Sequence, residues 1–256
     1  MTPLLLIALA SASPTAAAAP DDVRFRDCLM MVDRDPEAAI AYAGQWRVDG
    51  SLVLARQCLG MAYAAQQRWA SAVVAFQQAA QASEGTQDGR AAGLWVQAGN
   101  AALAIGNFGQ ARGFFDAALA LGTLTGADAG EARLDRARAL VAMGDVKRAR
   151  TDLDAAIGLV PEDPLLWLLS ATLARRMGDL DRAQKDIAEA AKRAPDDASV
   201  ALEAGNIAAM AGQDAAARTA WEAAIRLAPK SPQAQSAAAA LAQFSSSPTE
   251  ATPPQP

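Results

Sequence analysis

Apolar residues in the second half of the chain fall into short sets that break at regular intervals. Trp167, Leu168, Ala171 and Leu173 form one set, which runs to Gly178; Ala183, Ile187 and Ala190 form the next, which runs to Pro195. Each set has the spacing of a helix with a buried stripe. Polar residues and breakers mark the boundaries. Asp163 is placed to cap the first helix, with Pro164 as its first residue, and Asp179 and Leu180 open the second. Pro161 and Pro195 cannot continue a helix, so each stops the one before it. The pattern predicts a hairpin of two helices with its turn at Gly178.

The hairpin then repeats. Pro161, Pro195 and Pro229 are spaced by 34 residues, as are Gly144, Gly178 and Gly212, then Ala149, Ala183 and Ala217, and finally Ala156, Ala190 and Ala224. The capping position recurs at Asp197 and at Ser231, which Pro232 follows. Caps, breakers and apolar positions agree in phase, which predicts a stack of hairpins that contact only their neighbours. Ala171 and Ala183 are expected where the two helices of one hairpin cross, and Ala190 is expected to face the next unit. Leu153, Ile187 and Trp221 share one phase and are expected to be the bulky side chains of successive units.

These residues resemble the tetratricopeptide repeat (TPR) family, whose pattern sets an early aromatic, a Leu, small residues and a closing Pro within 34 residues. The unit from Ala92 fits with Trp95, Ala98, Gly99, Leu103, Gly106, Phe108, Ala111, Phe115 and Ala118. A unit from about Val53 carries Leu59, Gly60, Tyr63, Trp69, Ala72, Phe76 and Ala79, and units from Gly130, Pro164 and Ala198 follow without gaps. The resemblance implies an all-α fold, a right-handed α-solenoid of tandem helix-turn-helix hairpins, about five of them over residues 52–230. Two stretches depart from the period, Ser83–Arg90 and Gly122–Gly130, and their Gly, Thr, Asp and Ser content reads as loop. The unit from Gly130 has Arg133 where the early aromatic is expected.

In this family the first helix of each hairpin lines a concave groove that binds a protein or peptide partner. Carried onto this chain, the groove positions are Gln57 and Met61; Val96, Asn100 and Ile105; Leu134, Arg138 and Val141; Leu168, Thr172 and Arg175; and Leu202, Asn206 and Met210. Asn100 and Asn206 share one phase, and an Asn there can form two hydrogen bonds with an extended peptide backbone. Family members that hold acidic C-termini use Lys one turn earlier, where this chain has Val96 and Leu202, so that clamp is not expected. Arg138, Arg175 and Arg176 predict a basic groove centre between neutral ends. The ligand expected is an extended segment with apolar anchors and room for one acidic residue.

The ends differ from the array. Residues 1–19 carry no charge and place an apolar stretch, Leu4–Ala10, before Ala16–Ala19, as a secretory signal peptide with cleavage after Ala18 does. An uncleaved anchor and an Ala-rich leader are the alternatives. Residues 20–51 read as a degenerate hairpin, with helices at Val23–Val32 and Pro36–Arg47 and Asp35 as the second cap. Residues 231–244 read as a capping helix, and residues 245–256, rich in Ser, Thr and Pro, as a disordered tail.

Composition narrows the function. The chain has no His, which removes Ser-His-Asp and Cys-His catalysis and His-containing zinc sites, and it has no phosphate-binding loop. No enzyme activity, cofactor or metal is expected. The net charge of −5 disfavours nonspecific nucleic-acid binding. Basic and acidic residues such as Arg133/Asp135, Arg136/Arg138 and Asp179/Arg182 interleave, as on solvated helix faces, and Glu131 and Asp135 read as surface charge. Cys28 and Cys58 fall on helices expected to be neighbours. In an oxidising compartment a Cys28–Cys58 bridge would stabilise by ~2–4 kcal/mol; two buried thiols are the alternative. The function expected is a periplasmic or secreted scaffold or adaptor of the bacterial cell envelope. The alternatives are a self-assembling structural module, hence a possible homo-oligomer, and an accessory subunit of an envelope complex.

Overall fold

The computed structural model describes residues 20–246; the leader at 1–19 and most of the tail lie outside them. Thirteen helices span the described residues, in hairpins. An N-terminal pair, α1 (Asp21–Arg34) and α2 (Pro36–Asp49), precedes five hairpins. These are α3 (Leu52–Ala65) with α4 (Trp69–Thr86), α5 (Ala91–Ala104) with α6 (Phe108–Ala120), and α7 (Gly126–Ala142) with α8 (Val146–Ile157). They continue as α9 (Pro164–Arg176) with α10 (Leu180–Arg193), and α11 (Ala198–Met210) with α12 (Asp214–Leu227). A single helix, α13 (Pro232–Ser246), closes the array.

Local chemistry explains the boundaries. The Asp163 carboxylate accepts from Leu165 N at 2.8 Å, and Asp179 and Asp145 accept from Arg182 N and Arg148 N at 3.1 and 3.2 Å. Ser231 caps α13 through Ala234 N at 3.1 Å. The turn inside each hairpin needs a left-handed residue, and Gly144 and Gly178, both at φ 80°, supply it without steric cost.

Inside each hairpin one bulky side chain of the second helix meets a small residue of the first. Phe76, Phe115, Leu153, Ile187 and Trp221 occupy that position, and all five are buried. The aromatic ones face glycine. A Cβ on Gly60, Gly99 or Gly205 would lie 2.6, 2.7 or 2.4 Å from Phe76, Phe115 or Trp221. The aliphatic ones share their core clusters with alanine, Leu153 with Ala137 and Ile187 with Ala171. Volume is thus conserved at the crossing while its division between the two helices changes.

Three expectations need correction. Ser83–Arg90 is not all loop: α4 runs on to Thr86, burying Ser83, whose hydroxyl donates to Asp88, and placing Glu84 to accept from Trp95 Nε1 at 2.7 Å. Gly122–Gly130 likewise gives way to helix at Gly126, because the extra turn of α7 buries Ala129 and sets Gly130 against Leu159 and Val160. In both places the added residues lengthen a helix that has something to pack on. Nor are the interleaved charges all solvated. Arg136 donates to both oxygens of the buried Asp152 at 2.8 and 2.6 Å and to Asp116 at 2.9 Å, tying α6, α7 and α8 together. Asp135 is largely covered as well, and burial raises its pKa above the ordinary carboxylate value against the pull of Arg138.

At the N-terminal end a disulfide joins Cys28 of α1 to Cys58 of α3, with Cα atoms 6.1 Å apart. Trp46 is buried in the same core cluster and donates its indole N–H to Asp21 at 2.8 Å. At the other end Phe244 of α13 meets Trp221 edge-on, with centroids 5.4 Å apart. Among the described residues no helix is long and apolar enough to cross a membrane.

Candidate interaction groove

The curvature of the stack decides which helices form its inner face. Successive first helices pack on one another at α1–α3, α5–α7, α7–α9, α9–α11 and α11–α13; no two second helices do so to that extent among the described residues. The first helices therefore lie closer to one another than the second helices do, as on the inner face of a curved stack. Polar bridges between them mark that face. Gln57 of α3 donates to Gln97 of α5 at 3.3 Å. Arg175 of α9 donates through Nε and Nη2 to the carboxylate of Glu203 on α11, at 2.6 and 3.2 Å.

The residues named from the sequence fare unequally. Asn100 is exposed on α5, Ile105 ends the same helix exposed, and Met210 is 53% exposed at the end of α11. Met61, Val96, Val141, Leu168 and Leu202 are half-buried, each packed against a core cluster with part of its surface free, and Thr172 is half-buried too. Leu134 points the other way and is buried in the core of the α7–α8 hairpin. Asn206 is engaged internally: its Oδ1 accepts from Trp221 Nε1 at 3.1 Å and its Nδ2 donates to Glu203 at 3.3 Å. The two phase-matched Asn residues are therefore not equivalent, because Phe115, which occupies in Asn100's hairpin the position that Trp221 occupies in the other, has no N–H to donate.

Two of the three arginines of the basic centre are corrected in the same way, while Arg176 is exposed at the end of α9. Arg138 donates to Asp135 at 2.7 Å, and Arg175 is held bidentately by Glu203 and lies 3.8 Å from Met210 Sδ. Both charges are matched by carboxylates of the same face. Gln97, Asp135 and Glu203 are candidate groove residues that sequence reading missed. Each bonds a residue already assigned to the groove, but Gln97 and Glu203 do so across repeats, 40 and 28 positions away. Among the described residues no cluster of Cys, Asp and Glu is arranged to hold a metal ion.

Comparison with known proteins agrees with this architecture. The tetratricopeptide repeat family model matches residues 96–164, 134–176 and 168–232, which together exceed half of the chain. No curated protein matches the sequence. Among solved structures, PilW, described as a widely conserved type IV pilus biogenesis factor, superposes with a TM-score of 0.69 at 19% identity, over 84% of this chain and 96% of its own. Pseudomonas aeruginosa PilF superposes with a TM-score of 0.71 at 16% identity, over 86% of this chain and 97% of its own. YrrB, described as a TPR protein with an unusual peptide-binding site, gives 0.57 at 19% identity over 85% and 97%. At these identities the likeness is one of fold.

Proposed function

Because the chain belongs to the tetratricopeptide repeat family, we propose that it is a non-enzymatic scaffold or adaptor of the bacterial cell envelope, holding an extended segment of a partner protein along its concave face. The observation that carries this reading is the row of first helices, packed on one another from α5 to α13 and bridged from α3 to α5 by Gln57 and Gln97. It leaves Asn100, Ile105 and Met210 exposed and Val96, Thr172 and Leu202 half-exposed, on a face where Gln57 bonds Gln97 and Arg175 bonds Glu203. Such a surface offers hydrogen bonds to a peptide backbone between apolar contacts. Met61 and Met210, at its two ends, adapt to different side chains.

The envelope location rests on three supports. The Cys28–Cys58 bridge belongs to an oxidising compartment such as the periplasm. Two of the structural neighbours are PilW, a pilus biogenesis factor by its description, and PilF. The uncharged leader at residues 1–19 is in keeping with export.

Affinity capture from detergent-treated envelope extract tests the reading. The parent chain should retain a protein that an Asn100→Arg/Val96→Glu variant of unchanged helical circular dichroism loses. Equal capture by both would move the site off the groove, and capture of the chain alone would favour self-assembly.

A further inference from the structure

Arginines on the inner face of a repeat array are the natural place for an acidic ligand, since a guanidinium grips a carboxylate with two parallel hydrogen bonds. Here that place is already taken. Arg175 Nε and Nη2 both donate to Glu203, which is 7% exposed and sits on the neighbouring first helix. Its remaining Nη1 faces Met210 Sδ, and Glu203 Oε2 also accepts from Asn206. Arg138 is likewise matched by Asp135, the more buried of the two, on its own helix.

We propose that Glu203 and Asp135 are resident acidic ligands of the groove: by occupying Arg175 and Arg138 they make the concave face select uncharged extended segments and reject acidic ones. This rests on the groove reading above and names its ligand class. To reach Arg175, an acidic side chain must break the bidentate pair and leave a buried carboxylate unpaired beside its own charge, which is strongly unfavourable. Asp163 adds a further negative charge near Asp135, and burial already holds the Asp135 carboxyl above its ordinary pKa. A second carboxylate there meets repulsion instead of a vacant cation. Apart from Arg176, exposed at the end of α9, the rest of the face is neutral: the Gln57–Gln97 pair, Asn100, Thr172, Val96 and Leu202.

The test uses the full oxidised chain and a library of random displayed peptides. The parent should retain a pool depleted in Asp and Glu relative to the input, and E203Q and D135N should each restore acidic sequences. One retained peptide, synthesised with a central Ser or with Asp in its place, gives the number. The Asp form should bind the parent ~tenfold or more weakly, and most of that penalty should vanish in E203Q. Should E203Q fail to give the parent's circular dichroism, D135N carries the same comparison at Arg138. Retention of acidic peptides by the parent, or an Asp penalty that neither variant changes, overturns the proposal and leaves the groove standing. Retention that Asn100→Arg does not diminish in any peptide class overturns the groove reading, and this inference with it.

Discussion

The hairpins α3–α6 and α7–α10 share one fold and are held together differently. In the first region a single core cluster runs through both hairpins, built on Phe76, Trp95, Phe114 and Phe115, with Trp95 stacked on Phe114 at 5.4 Å. In the second, the core divides between two clusters of Leu, Ile and Ala. Charged groups run across that division. Arg136 joins Asp152 within its own hairpin and reaches back to Asp116 of α6. Arg150 bonds the Ser170 hydroxyl at 2.8 Å and Asp154 at 3.0 Å, Ser170 donates to Asp186, and Arg182 reaches both Asp154 and Asp186. Where aromatic rings supply the buried area, the charges are few. Where aliphatic side chains leave the interface thin, ion pairs and a buried hydroxyl set the spacing of the helices. The repeat specifies where helices go and leaves open what holds them.

Truncating the bulky residue at the crossing should separate the regions most. Phe115→Ala removes a ring with no exposed surface and is expected to cost ~3–5 kcal/mol in urea unfolding. Leu153→Ala, at the same position of the next hairpin, should fall at the lower end of ~2–5 kcal/mol. Equal losses would mean that the ring adds nothing beyond the aliphatic volume.

Next in size is the bridge that anchors the aromatic region at its N-terminal end. Replacing Cys28 and Cys58 together by Ala should lower stability by ~2–4 kcal/mol, because the loop they close spans 30 residues of the unfolded chain. Mass spectrometry of the unreduced chain should show the linked peptides; two alkylatable thiols would remove this term from the comparison.

The division of volume at the crossing predicts a compensating pair. Gly99→Ala alone should cost ~1–3 kcal/mol, since its Cβ would meet the Phe115 ring at 2.7 Å. Gly99→Ala with Phe115→Leu recreates the Ala–Leu pairing of Ala137 and Leu153, so the double variant should be more stable than the sum of the two singles. A double-mutant cycle with no coupling would contradict the size-matching argument.

The smallest effect expected is that of pH. A hydrogen bond from Arg148 holds the Asp145 carboxyl below its ordinary 3.8, and hydrogen bonds from Lys192 and Arg193 hold Glu189 below 4.5. Their contribution is present above those ordinary values and lost as pH falls through the lowered folded ones. Asp135, raised chiefly by burial, has the opposite sign: its contribution is full below 3.8 and lost as pH rises through its folded value. Thermal midpoints should therefore fall less on acidification in Asp145→Asn/Glu189→Gln than in the parent. Asp135→Asn should raise the midpoint at neutral pH.

The stack of hairpins was legible in the sequence because its determinants are local. A cap acts on an amide two or three residues on, a Pro on the preceding turn, and a glycine at φ 80° on its own dihedral, so Asp163, Pro195 and Gly178 each announce a boundary. Recurrence at 34 residues then places those boundaries in one stack. What only the tertiary structure decided is how neighbouring repeats face one another. It turned Leu134 inward, gave Asn206 to Trp221 while leaving Asn100 exposed, and set Glu203 against Arg175 and Asp152 against Arg136. Those outcomes depend on the offset and rotation between helices, which packing volumes at the crossings settle jointly. No single stretch of chain encodes that geometry, so residues that share a phase in the repeat need not share a role.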